Sequence, residues 1–351
     1  MSRLLLLLSL LAALGSEALV FPVEKRAARL ALVIPFTARD SAHVIRNLKR
    51  WQDGGDPCPT IRKFEAKHYV DIIFWFNMDF HSNETFADHF RLEARHELKW
   101  MRSCFGRSKF LSSHLTAVED AYPQGPSNQF YRLFGSSVEG LSGLYDYFML
   151  MEHDVRVVRP GWLDAVWREC AFPTEFYIKG SILRGRRADG NLQYEECSSG
   201  WLDAQAWLGH INGNALYRLG NAHFTSLIND TRSKWDPNTG WKAFDTSIWR
   251  NLVMNFMTNW PAYQEYAHML VYSQFIQNWS EEINEEITSS IRANFTDTYL
   301  VHGSANSQGD AKNNPLLGMS VEERDAILRA RNEQILEDEK AKRGGMFGGG
   351  L

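Results

Sequence analysis

YDYFMLMEHDVRVVRPGWLD, Tyr145–Asp164, is the stretch on which the fold turns. An apolar run through Met151 stops abruptly on Glu152, His153 and Asp154. A strand without polar alternation is buried on both faces, as in a parallel sheet covered by helices. Two carboxylates closing such a strand need a partner of opposite charge, because an unpaired buried charge is costly. Hard divalent cations such as Mg²⁺ and Mn²⁺ take carboxylate and phosphate oxygens. The guanidinium of Arg156 or Arg159 is the plainer partner, and the motif alone leaves both readings open.

The same pattern recurs on either side. RLALVIPFTARD (Arg29–Asp40) and YVDIIFWFN (Tyr69–Asn77) are continuous apolar strands with polar ends. Helical stretches follow around His43–Trp51 and Asn83–Trp100. EFYIKGSILRG (Glu175–Gly185) reads as a further strand, and GHINGNALYRLG (Gly209–Gly220) as a Gly/Asn turn before a short apolar element. FDTSIWRNLVMNF (Phe244–Phe256) reads as a helix with Asp245 as N-cap. YLVHGS (Tyr299–Ser304) reads as a last strand. Alternating strands and helices predict an α/β layered domain. Ligands of open α/β sheets bind beyond the carboxyl ends of the strands. Thr37–Asp40, Asn77, Glu152–Asp154 and His302–Ser304 would gather there.

The 351 residues are 44% hydrophobic and carry a net charge of −4, which gives no overall basic surface for nucleic acid. The chain opens MSRLLLLLSLLAALGSEALV. Arg3, the apolar run Leu4–Leu14 and the small residues Ser16 and Ala18 read as a cleaved signal peptide over residues 1–18, too short for a comfortable span. Glycosylation sequons lie at Asn83, Asn229, Asn278 and Asn294. Cys58, Cys104, Cys170 and Cys197 lack zinc-site spacing; three disulfide connectivities are open, with free thiols as the alternative. The lumen of the endoplasmic reticulum or Golgi, or secretion, is the expected location, with no stable membrane span after cleavage. Residues 315–343 read as a charged helix opened by a capping box, Ser320 and Glu323, before a flexible Gly-rich tail at 344–351.

EHD followed by VRPGWLD resembles the DxD-type motif of GT-A fold glycosyltransferases, with Glu in the first carboxylate place. The resemblance runs as an ordered series of motifs from Leu30 to Ser304 and includes GHINGNALY, FDTSIW and the late His302. It implies a catalytic domain over residues 27–310, a three-layer α/β/α fold with a mainly parallel, Rossmann-like central sheet. It further implies that Asp154 ligates Mn²⁺ or Mg²⁺, that Glu152 contacts ribose or a metal-bound water, and that His302 completes the metal shell. The longer Glu152 side chain puts its direct ligation in doubt, and His153 would point away. The loop residues His210, Asn212, Gly213 and Asn214 would face diphosphate, donor sugar and acceptor, and Asp245 would be the base of an inverting transfer.

Read from the residues alone, the loop is equally a tight turn and Asp245 equally a helix cap. Thr37, Arg39, Asp40, Asn77, Asn128 and Arg132 are candidates for nucleotide contacts, with surface salt bridges as the alternative for Arg39 and Arg132. Trp201, Trp207 and Trp241 are acceptor platforms or core. The expected activity is transfer from a UDP- or GDP-sugar to a glycan, glycoprotein or polysaccharide. A nucleotidyltransferase usually carries a Gly-rich basic loop after its first strand, which PFTARDS lacks. A hydrolase with paired acids, and a carbohydrate-binding or scaffold protein on a degenerate transferase fold, are further alternatives.

Overall fold

The computed structural model describes residues 28–63, 69–121, 124–135, 140–171, 175–184, 209–235, 243–279 and 283–303, with Glu333 and Glu337. Residues 1–18, the tail, Trp201, Trp207 and Trp241 lie outside the described residues, as does the expected C-terminal helix except Glu333 and Glu337, both helical. The strands are β1 (Leu30–Phe36), β2 (Val70–Phe76), β3 (Ser108–Ser112), β4 (Tyr147–Leu150), β5 (Arg156–Val157), β6 (Ile178–Gly180), β7 (Leu183–Arg184), β8 (Leu216–Arg218), β9 (Leu270–Tyr272), β10 (Ile276–Trp279) and β11 (Leu300–His302). The helices are α1 (Ser41–Asp53), α2 (Pro59–Lys63), α3 (Glu84–Glu97), α4 (Gln124–Arg132), α5 (Trp162–Ala171), α6 (Ala222–Ser233), α7 (Phe244–Thr258), α8 (Trp260–Ala267) and α9 (Glu285–Asn294).

Seven strands form the central sheet in the order β3-β2-β1-β4-β8-β6-β9. Pairings are parallel except those of β8 with β4 and β6. A smaller sheet has the order β5-β11-β10-β7. The expected α/β class with a mainly parallel central sheet is what the chain adopts.

The missing polar alternation has a direct cause. Leu30, Leu32, Ile34, Ile72, Phe74 and Met149 enter one core cluster. Ala31, Val33, Ile73, Trp75, Phe148 and Leu150 enter a second on the opposite face. Both faces are dry, so both phases of the period-two pattern are apolar. The stretch Glu175–Gly185 differs from expectation: it splits into β6 and β7, which join different sheets. Gly180 sits at the split, where an added Cβ would come within 2.8 Å of Ala215 and Ile211.

The segment after Asp154 anchors the motif. Asn47 of α1 donates from Nδ2 to the Val155 carbonyl at 2.9 Å. Gly161 takes φ +73°, and α5 begins at Trp162, whose ring packs on Trp51 at 4.9 Å. Buried Asp164 accepts the Thr60 and Ile61 N–H groups at 2.7 and 2.8 Å, joining α5 to α2. Cys58 and Cys104 form a disulfide, Cys170 is a buried free thiol, and Cys197 lies outside the described residues. Among the described residues no helix is long and apolar enough to cross a membrane.

Candidate active site

Three side chains from two sheets converge at the carboxyl edge. Glu152 and Asp154 follow β4, and His302 ends β11. One ligand atom from each lies within 4.8 Å of the others. His302 Nε2 is 3.3 Å from Asp154 Oδ2 and 3.5 Å from Glu152 Oε2. His302 Nδ1 bonds Asn278 Oδ1 at 2.7 Å, so Nε2 is the nitrogen turned to the acids. Arg159 is spent on the carbonyls of Thr298 and Phe295, at 2.8 and 2.7 Å, and is not the partner of the acidic pair.

The electrostatics favour a cation. Burial, then the Asp154 carboxylate, pushes Glu152 above the usual carboxylate range. Burial would raise Asp154 too, but the His302 N–H and its charge outweigh it and hold Asp154 low. Burial would lower His302; Asp154 and Glu152 overcome that and raise it to about 9. Asp154 Oδ1 is buried with no hydrogen-bond partner among the described residues. Two carboxylates, one imidazole nitrogen and an orphaned carboxylate oxygen fit a hard divalent cation. His302 lies higher folded than its ordinary value near 6.5, so its proton stabilises the fold fully below about 6.5, and that stability is lost as pH rises through about 9. The same proton competes with metal. Apparent Mn²⁺ affinity should therefore rise about tenfold per pH unit between about 6.5 and 8, measurable by titration calorimetry in the two buffers. A flat profile would remove His302 from the ligand set.

The loop before β8 braces this edge. Asn214 is 1% exposed; it accepts the Glu152 N–H at 2.8 Å and donates to Glu152 Oε2 at 2.7 Å. Asn212 Oδ1 in turn accepts from the backbone and side chain of Asn214 at 3.0 and 3.1 Å. Asn214 is thus a brace for Glu152. Gly213 is required by close approach: a Cβ would come within 2.7 Å of the Phe244 ring. Its N–H donates to Asp245 Oδ2 at 2.9 Å. His210 is buried, with Nε2 3.5 Å from that same oxygen, so it faces Asp245.

Asp245 is not the N-cap. The cap is Ala243, whose methyl side chain makes no cap hydrogen bond, and Asp245 sits in the first turn of α7. Its Oδ1 accepts the Thr246 N–H at 2.7 Å while Oδ2 reaches across to Gly213. Two residues of shift in the cap position turn a cap into a bridge between the loop and the helix.

Beside Glu152 lies a cavity of about 210 Å³. Thr37, Asp40, Gln129, Phe130, Glu152, His153 and Phe244 are among its walls. Thr37 donates from Oγ1 to Asp40 Oδ2 at 2.7 Å. Arg39 is exposed and not in the wall. The α4 expectation was misplaced by helical phase. Pro126, Gln129, Phe130 and Leu133 face the cavity at i, i+3, i+4 and i+7. Asn128 and Arg132 lie on another face, both bonded to Glu119 at 2.8 Å. Asn77 is buried, donates to Asp120 Oδ2 at 2.6 Å and is not in the cavity wall. His153 is in the wall, 5.3 Å from the His43 ring, and is not among the three clustered side chains. Gln129 and Phe244 were missed; the apolar spacing on α4 was the available signal.

Three sequons are exposed: Asn83, which caps α3 by accepting the Phe86 N–H, Asn229 and Asn294. Asn278 is 5% exposed, and its Oδ1 lies 2.7 Å from His302 Nδ1.

No protein-family model matches the chain, and no curated protein matches it. Solved structures similar to it are glycosyltransferases. Mouse xyloside xylosyltransferase 1 in its apo form aligns at 10% identity and TM-score 0.46, over 80% of this chain and 98% of that one. The bifunctional glycosyltransferase WbbM aligns at 11% identity and TM-score 0.42 over 80% of this chain; the match spans only 46% of WbbM. The galactosyltransferase LgtC, solved in complex with donor and acceptor sugar analogs, aligns at 12% identity and TM-score 0.40, over 86% of this chain and 95% of that one. The likeness is distant, and the functional reading rests on the site.

Proposed function

We propose that the chain is a metal-dependent glycosyltransferase that moves a sugar from a nucleoside-diphosphate sugar to a glycan, glycoprotein or polysaccharide acceptor. The observation that carries this reading is the Glu152–Asp154–His302 cluster at the carboxyl edge of a doubly covered sheet, beside a cavity and within electrostatic range of Asp245. Asp154 and His302 would hold Mn²⁺ or Mg²⁺, with Glu152 alongside. A divalent cation there supplies positive charge to the departing diphosphate. The chain's own residues do the rest. Thr37 and Asp40 present polar atoms to a nucleotide in the cavity. Asn214 fixes the Glu152 carboxylate. Asp245 takes the proton of the acceptor hydroxyl as its oxygen attacks the anomeric carbon and the bond to the diphosphate breaks, which inverts the centre. Each Asp245 oxygen accepts one backbone N–H and keeps a lone pair for that proton.

A lumenal setting is part of the proposal. The apolar leader, the exposed sequons and the Cys58–Cys104 disulfide support it. Purified protein titrated with UDP and with GDP, with Mn²⁺ or with EDTA, tests the core of the reading. Binding of one nucleotide should appear with Mn²⁺ and vanish with EDTA. Binding indifferent to metal, or no binding of either nucleotide, would sink it and favour a scaffold. Release of free sugar as the sole product with acceptors present would favour a hydrolase.

A further inference from the structure

We propose that Asn278 is a positioning residue for His302, and that its sequon stays unglycosylated in the folded, active protein. This deepens the metal-dependent reading and rests on it. Asn278 and His302 are direct partners in the parallel register of β10 and β11. The Asn278 side chain is shut away, 5% exposed, and its Oδ1 lies 2.7 Å from His302 Nδ1. An amide oxygen accepts and does not donate, so His302 Nδ1 carries a hydrogen, which the ring keeps when Nε2 gives up its own to bind a metal. The lone pair of the neutral ring is then on Nε2, which faces Asp154 and Glu152. Such outer partners fix the tautomer and orientation of a ligating imidazole.

The same residue reads as a glycosylation signal, Asn278-Trp279-Ser280. The two roles exclude each other. A sugar on Nδ2 has no room in a buried strand; it would draw Asn278 out of the sheet and release His302. The sequon's chemistry is therefore overridden by its place in the fold.

Three variants of the full chain, made in a secretory host, separate the roles. Ser280→Ala removes the sequon and keeps the amide. Asn278→Ala removes both. Asn278→Asp removes the sequon and keeps an acceptor. Mn²⁺ affinity, glycopeptide mass spectrometry and the ¹⁵N tautomer spectrum of His302 in the Mg²⁺-loaded protein are the readouts. Asn278→Ala should weaken Mn²⁺ binding about 10- to 100-fold. Ser280→Ala should match wild type, and Asn278→Asp should stay close to it. Wild type should carry no glycan at Asn278, and the His302 hydrogen should sit on Nδ1. Equal losses in Ser280→Ala and Asn278→Ala, a hydrogen on Nε2, or a glycan at Asn278 in the active fraction would each overturn the proposal. If Asn278→Ala fails to fold, a large affinity loss in Asn278→Asp does the same. Should wild type bind no Mn²⁺, the metal reading falls, and whether Nδ1 of the metal-free ring keeps its hydrogen bond to Asn278, read from the ¹⁵N spectra of wild type and Asn278→Ala, still decides whether Asn278 positions His302.

Discussion

Asp154→Asn should abolish metal binding and transfer together while leaving the fold intact. The replacement keeps the shape of the side chain and removes its charge. Asp154 is the carboxylate held in its ionised form, below the usual range, and one of its oxygens is buried with no partner among the described residues. That oxygen is the natural inner contact for a cation, and an amide there is a weak, uncharged ligand. Mn²⁺ affinity should fall at least about 100-fold, or ~2.7 kcal/mol. Metal-dependent nucleotide binding should fall with it. In the metal-free variant the lost pairing of Asp154 with His302 outweighs relief of the repulsion that raises Glu152, so the folded chain should melt modestly lower than wild type. Calorimetry with Mn²⁺ and a thermal melt in EDTA check both halves. Undiminished Mn²⁺ binding in a folded variant would move the cation elsewhere, and an unfolded variant would make Asp154 structural.

Burial and side-chain direction decide which parts of the chain were legible. The central strands were readable because burial on both faces suppresses alternation, as in Leu30–Phe36 and Val70–Phe76. The acidic end of β4 was readable for the opposite reason: charge has no packing excuse there. Side-chain direction was not readable. Asn128 and Arg132 had suitable chemistry but the wrong helical phase, and Gln129 and Phe244 had the right phase but unremarkable chemistry. The brace from Asn214 to Glu152 was not legible, because a turn's sequence does not say which way its amides point. Asn278 matched a local three-residue signal, whereas its role depends on a strand 24 residues later in sequence. For Asn214 and Asn278 a contact distant in sequence decides which way the amide points.

Asp245→Asn should separate chemistry from binding. Asp245 lies outside the three-residue metal cluster, so Mn²⁺ and nucleotide affinity should stay near wild type. The turnover of acceptor should fall by about 10²- to 10⁴-fold, the range expected when a positioned general base is removed. The geometry makes the amide a sharper test than it first looks. Both carboxylate oxygens accept backbone N–H groups, from Thr246 and Gly213. Asn has one accepting oxygen, so one of those N–H groups must face an NH₂. That mismatch should cost about 1–3 kcal/mol of stability, visible as a lower melting temperature. Loss of stability alone leaves the turnover of the folded fraction unchanged. A base role lowers turnover per folded molecule, and the acceptor concentration giving half-maximal rate moves little. If the main change is instead in that concentration, with turnover at saturation kept, Asp245 binds the acceptor, and a transfer with retention becomes the consistent chemistry. Analysis of the anomeric configuration of the wild-type product then settles which of the two roles the bridge between Gly213 and α7 was built to hold.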